Sequence, residues 1–502
     1  MEFRRIRLIG ALSAAVLVAA GCTARTPGTS GPDELRWSAC PPGTPNAEGV
    51  AAQRDPAQQC ATLTVPRDYS AADRGAITVA VSRIATAKPG ARKGFLLVSP
   101  GGPGVPGLDQ PGVMRGQLPA AITDAYDLVG LDDRGIGNSA PVHCGLDDAD
   151  RAAAVAGVPF PAPDGTVDAN IAYAKRVADT CARNAGDYLR DLTTANVARD
   201  IDRFRAALRA PTLSYLGTSY GTYLGAVYAT LFPSHTDRVV LDSVVNPLGM
   251  QTSARDMFSR GAQDAFPALA RWLAAADATL HLGTDESQVE DSYYRTAERL
   301  DHTPIRFGNG RVLDGNGLRI LVYECEQNEK LYPLVDNAFR VANGETAPAS
   351  TGAASNSAAL PTEIPDNFLS AQYAVMCDDL HWQPDTGQFP GAVAADKAKY
   401  PIGNGFGGSP WVCNYWHYPP KQEPVRIGDD GPADILLLQN RFDPSTPYSG
   451  ARQTLTALGT RAAMVTVENT GHGVDFSDSC VQAALISFFA GGHLPTGDPT
   501  CR

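Results

Sequence analysis

A serine, an aspartate and a histidine, each placed just after a short apolar run, are the residues whose types and spacing can do chemistry. Ser219 lies in Gly217-Thr218-Ser219-Tyr220-Gly221, between the strand-like Leu213-Ser214-Tyr215-Leu216 and a helical run from Thr222 to Phe232 that ends before Pro233. A serine in such a G-x-S-x-G turn is held in a strained conformation that lifts its hydroxyl off the sheet, and its glycines prevent a collision between strand and helix. The helix N-terminus just behind it favours negative charge developing at the reacting centre. Asp443 follows the apolar run 435–439, and His472, in Gly471-His472-Gly473, follows the run 463–467. A serine hydroxyl is a poor nucleophile at neutral pH and needs a base within hydrogen-bond reach, itself oriented by a carboxylate. Ser219, Asp443 and His472 are therefore the expected nucleophile, acid and base. Their chain order and their place at strand C-terminal ends suit the rim of an open α/β sheet.

Acyl transfer also requires donors for a tetrahedral oxyanion. One is expected to be the backbone N–H of Tyr220. The other should come from the loop Pro100-Gly101-Gly102-Pro103-Gly104-Val105-Pro106-Gly107, with Gly102 as the donor. That loop also spells G-x-G-x-x-G, a dinucleotide fingerprint. Pro103 and Pro106 lack the N–H groups a pyrophosphate cradle uses, and Pro106 stands where the helix would have to start, so the match is coincidental. No C-x-x-C pair and no H-E-x-x-H occurs, which argues against a metal site, and the expected chemistry needs no cofactor.

The elements that must position these residues alternate between short apolar runs and helical patterns. Runs at Cys60–Val65 and Ala76–Ala85 read as an antiparallel opening. Those at 95–99, 126–131, 213–216, 238–242, 435–439 and 463–467 read as buried strands, with helices around Ile171–Cys181 and Thr193–Leu208. This predicts an α/β class chain with a mostly parallel sheet covered by helices on both faces. From about Val245 to Val425 the strand ladder stops. Helical patterns at Asp264–Ala275, Ser287–Leu300 and Leu331–Val341 and a low-complexity stretch, Ala347–Ala359, take its place. The expected organisation is a core over 37–245 and 426–502, with a helical lid over 246–425 inserted between core strands; an independently appended domain is the alternative.

The chain begins with Arg4, Arg5 and Arg7 before an apolar stretch, Leu8–Ala20, too short to span a bilayer comfortably. Val18-Ala19-Ala20-Gly21-Cys22 resembles a bacterial lipobox. Residues 1–21 are thus expected to be a removed signal and Cys22 a lipidated anchor to the membrane, with 22–36 as a flexible tether; an ordinary secretory signal is the alternative. Either way the protein is exported. A formal charge of −12, with no basic block, argues against nucleic acid as a partner. Ten cysteines in an exported chain point to disulfides. Sequence neighbours suggest Cys40–Cys60, Cys144–Cys181, Cys377–Cys413 and Cys480–Cys501, leaving Cys325 unpaired, although eight cysteines allow 105 pairings.

Taken together, the Gly101-Gly102-Pro103-Gly104 loop, the Asp133-Arg134-Gly135-Ile136-Gly137-Asn138-Ser139 turn, the elbow and the Asp443 and His472 loops resemble the secreted bacterial tripeptidyl aminopeptidases, relatives of the prolyl iminopeptidases. The resemblance covers nearly everything from Trp37 onward. It implies the α/β-hydrolase fold, the triad Ser219, Asp443 and His472, a lid over the site, and release of short peptides from free peptide or protein N-termini. Such a substrate presents a charged α-ammonium, for which Glu324, Glu326, Asp378 and Asp379 are candidate anchors by charge alone. A lipase or esterase on the same scaffold, and a catalytically silent peptide-binding lipoprotein, are the rival readings. Oligomeric state is not legible in the sequence.

Overall fold

Short apolar runs, hidden on both faces by helices, become the parallel heart of a ten-stranded sheet. The computed structural model describes residues 34–43, 54–155, 160–250, 255, 257–307, 312–345, 364–383 and 387–502. The signal, Cys22 and most of the tether lie outside the described residues, as does the stretch 347–359. The strands are β1 (Ser38–Ala39), β2 (Gln59–Pro66), β3 (Ala76–Ile84), β4 (Gly94–Ser99), β5 (Tyr126–Leu131), β6 (Leu213–Thr218), β7 (Thr236–Asp242), β8 (Ile305–Arg306), β9 (Val312–Leu313), β10 (Ile435–Phe442), β11 (Ala462–Thr470) and β12 (Thr500–Cys501). The large sheet runs β1-β2-β3-β5-β4-β6-β7-β10-β11-β12. β1, β2 and β3 join antiparallel, as does β3 to β5, and every later pairing is parallel.

Two apolar layers fill the space on either side of the sheet. One face packs Leu97, Val129, Tyr215, Val239 and Leu437 against the helices Thr194–Ala207 and Tyr220–Leu231. The other packs Leu96, Leu128, Leu216, Val240, Leu436 and Val465 against Met114 and the C-terminal helix Ser479–Gly491. Alternate residues of each strand feed alternate layers, as the two-residue period requires. The edge pair β1 and β12, two residues each, carries too little apolar periodicity to be read from sequence; each is stapled to the body by a disulfide, Cys40–Cys60 or Cys480–Cys501.

Between β7 and β10 the insertion divides into two parts. The first holds the helices Ala262–Ala275, Glu286–His302, Gly315–Glu326 and Tyr332–Ala342 around its own core of Phe266, Leu269, Val289, Tyr293, Val335 and Phe339, with the hairpin β8–β9 at its edge. The second runs from Ile364 to about Ile427 as a strap whose Leu369, Tyr373, Met376 and Val412 belong to the core of the main body. Cys377–Cys413 closes the strap on itself, and Cys144–Cys181 braces the segment beneath. The Asp133–Ser139 turn is where the strap docks. Asn367 Nδ2 donates to the carbonyls of Gly135 and Val142, both at 2.8 Å, and Asn367 Oδ1 accepts from the Gly137 N–H at 3.0 Å. Arg134 of the same turn is buried in a two-pronged contact with Asp200, at 2.7 and 2.6 Å. Among the described residues no helix is long and apolar enough to cross a membrane.

Candidate active site

Ser219 sits at the sharp junction of β6 and the helix Tyr220–Leu231 with φ +58° and ψ −124°, a region an L-residue adopts only under constraint. The constraint is visible in its neighbours. A Cβ on Gly217 would come within 2.3 Å of the Gly221 carbonyl oxygen, and one on Gly221 within 2.6 Å of the Pro100 carbonyl oxygen. The Ser219 N–H donates to the Asp242 carbonyl at 3.0 Å, pinning the turn to the end of β7. Gly101 lies against the serine, since a Cβ there would meet Ser219 Cβ at 2.6 Å.

His472 and Asp443, the expected base and acid, meet on adjacent loops. His472 Nδ1 lies 3.0 and 3.1 Å from the two Asp443 oxygens, so its proton is held there and Nε2 is the nitrogen left for the serine. Asp443 is fixed in turn by the N–H groups of Ser445 at 2.9 Å and Thr446 at 2.8 Å, and by the Thr446 hydroxyl at 2.9 Å. Burial alone would raise the Asp443 carboxyl; the His472 charge and these donors outweigh it and hold it below the usual carboxylate range. Burial opposes protonation of His472, but Asp443 in contact, with Asp242 and Glu324 further off, lifts the imidazole above its ordinary value. Ser219 and His472 line the same cavity of about 530 Å³. No direct hydrogen bond joins them among the described residues. Gly101 and Gly102 line that cavity as well, and no acceptor among the described residues takes the N–H of Gly102 or of Tyr220.

The lid reaches the base through its main chain. Gln327, closing the helix Gly315–Glu326, accepts the His472 N–H on its carbonyl at 3.0 Å, and Tyr323 of that helix shares a 2.8 Å hydroxyl contact with Ser445 beside the acid. Two further residues escaped the sequence reading. The Asp242 carboxylate accepts from the Val474 N–H at 3.0 Å and the Thr218 hydroxyl at 3.3 Å, and the Ser243 hydroxyl accepts from the Gly473 N–H at 2.7 Å. Both hold the histidine loop against the elbow. The available signal was position: they close a buried strand beside the one carrying the serine.

Of the four candidate anchors, only Glu324 lines the cavity, and among the described lining residues it is the one carboxylate. Burial pushes it up to about 7, with His472 opposing the rise. Asp378 and Asp379 do not line the cavity. The strap helix Asp366–Asp378 turns Phe368, Gln372 and Met376 toward it, the four-residue spacing of one helical face. Asp378, two residues past Met376, faces the opposite side and accepts from Trp416 Nε1 at 3.1 Å. Asp379, past the end of that helix, takes the N–H of Thr194 at 2.8 Å and also its hydroxyl, at the start of the helix Thr194–Ala207. Glu326 is fully buried in the lid with neither oxygen partnered among the described residues. Much of the remaining cavity wall is apolar, with Met250, Ile320, Phe368, Met376, Phe406 and Trp411, and polar side chains such as Asn170, Gln327 and Gln372 stand among them.

A strained serine after the central parallel strand, with an acid and a base on the two loops that follow later strands, defines an α/β-hydrolase. In agreement, residues 95–311 match the family model described as alpha/beta hydrolase fold, and residues 398–501 match that of the TAP-like protein. The chain belongs to the tripeptidyl aminopeptidase family. It is 32% identical over 472 residues to the tripeptidyl aminopeptidase of Streptomyces lividans, covering 88% of this chain and 83% of that one. It is 28% identical over 534 residues to serine protease Hip1 of Mycobacterium tuberculosis, covering 99% and 98%. To carboxylesterase B of the same species it is 29% identical over 523 residues, covering 98% and 96%.

Proposed function

We propose that the chain is a serine exopeptidase that releases short, tripeptidyl-type fragments from free N-termini through an acyl-enzyme. His472 Nε2 takes the Ser219 proton as the hydroxyl attacks the scissile carbonyl, and Asp443 stabilises the imidazolium that forms. The N–H groups of Tyr220 and Gly102 receive the oxyanion, and the helix starting at Tyr220 adds its positive end. His472 then protonates the leaving amine, and water enters by the reverse route. The observation that carries this reading is the doubly held His472 Nδ1 on Asp443, with the imidazole and Ser219 opening on one cavity. Ser219→Ala is expected to fold normally, to lose at least about 10⁴-fold in kcat/KM on peptide p-nitroanilides, and to escape labelling by a fluorophosphonate. Retained turnover in that variant removes the mechanism.

Glu324 is the assigned anchor for the substrate ammonium. It ionises as pH rises through about 7. A peptide α-amino group loses its charge near pH 8. The preference for free over N-acetylated peptides should therefore be greatest between those values and fall on both sides. Glu324→Gln should flatten that profile by raising KM for the free peptide alone; an equal rise for the acetylated peptide would show that the carboxylate holds something else.

An esterase is the second reading, favoured by the apolar cavity wall and by the relative named carboxylesterase B. Rates on matched p-nitroanilides and p-nitrophenyl esters separate the two, with amide turnover deciding. Export and lipid anchoring at Cys22 belong to the same proposal; the four disulfides support export, and the Val18–Cys22 run supports the anchor. Cys22→Ser should move the protein from the membrane fraction to the medium.

A further inference from the structure

The catalytic cavity is the first of three neighbouring hollows that share lining residues in turn. Past His472 a second hollow of about 810 Å³ opens on the other side of the histidine loop, sharing Gly101, Thr218, Gln327 and His472 with the first. It runs between the lid segment Asn328-Glu329-Lys330 and the core loop 469–477. It meets a third hollow of about 310 Å³ through Glu329, Asn469 and Thr470. At that far end stand Trp272 of the lid and Phe442 of the core, each 37% exposed and among the few large apolar side chains left open to solvent. The Trp272 ring is propped edge-on against Tyr332, with centroids 5.8 Å apart. Exposed aromatics at the end of a row of adjoining hollows suit a binding surface.

Resting on the peptidase reading, we propose that this groove carries the part of the substrate beyond the scissile bond, and that Trp272 and Phe442 form a distal subsite for an apolar residue several positions downstream. The assignment of sides follows from chemistry. The first cavity holds Glu324, the one carboxylate among its described lining residues and suited to an N-terminal ammonium, so the acyl fragment belongs there. The leaving chain must depart past His472, which protonates its amine. The second hollow is lined with polar groups such as Asn328, Lys330 and Asn469, which suit the hydrogen-bonding main chain of an extended peptide. The enzyme is thereby built for polypeptides, with binding energy collected far from the reacting bond.

The test is a ladder of synthetic peptides sharing one N-terminal sequence and growing from four to about twelve residues, each long member made with either leucine or serine at successive downstream positions. On the native protein, KM is expected to fall stepwise once the chain reaches the aromatic pair, and more for leucine than for serine at one position. Trp272→Ala and Phe442→Ala should raise KM for the long leucine peptides by roughly threefold to tenfold. Both should leave kcat/KM on a tripeptidyl p-nitroanilide unchanged. A KM independent of length and sequence on the native protein overturns the subsite whatever the variants do. If no peptide of any length is cleaved, the peptidase reading falls and the groove's assignment goes with it.

Discussion

Ser219 is the clearest case of a residue held where its own backbone preference would not put it. Its positive φ is of a kind that costs about 1–3 kcal/mol and persists only because the elbow is fixed from several sides. Glycine has no such penalty. Ser219→Gly should accordingly be inactive yet melt at a higher temperature than Ser219→Ala, by an amount corresponding to about 1 kcal/mol, measured by calorimetry on the two purified variants. A Gly variant less stable than the Ala variant would mean the turn is not strained. At this scale the proposed nucleophile, acid and base each announce themselves by residue type next to a strand end. The anchors did not. Asp378, Asp379 and Glu324 are equivalent as charges in a sequence, and only the angular phase of two helices and the end of one decide that Glu324 alone meets the cavity.

At the scale of elements, the six inner strands were legible because each is a continuous apolar run buried on both faces, and the helices Ala262–Ala275, Glu286–His302 and Tyr332–Ala342 because their apolar residues recur at helical spacing. The helix Gly315–Glu326, which carries Glu324, was not read as one, although Asp314 caps it through the Gly317 N–H at 2.7 Å. The division of the insertion into a self-cored lid and a strap was hidden for a different reason. Both halves are helical, and only tertiary packing assigns Leu369 and Met376 to the main body. The strap's own closure gives a prediction. Cys377–Cys413 spans 36 residues, a loop worth about 3–4 kcal/mol of chain entropy, and it fixes Met376 and Val412 in the cavity wall. Replacing both cysteines by serine should lower the melting temperature and raise KM for apolar peptides more than it lowers kcat. A fall in kcat alone would place the effect on the triad instead.

At the scale of the whole molecule, the arrangement is spatial: the sheet presents Ser219, the loops after its last long strands present Asp443 and His472, and the insertion lines the cavity on which Ser219 and His472 open. Alternating strands and helices lead to parallel neighbours joined by crossovers, so the fold class could be inferred from alternation alone. Among the bonds that join the insertion to the core is the 3.0 Å contact from the His472 amide to the Gln327 carbonyl. Chemical competence and the seating of the lid are consequently one condition rather than two. A lid swung clear would leave serine and carboxylate in place with a base that has lost one of its supports. If the groove carries the leaving chain as proposed, a long substrate has to be accommodated along it while the lid stays seated on the histidine loop.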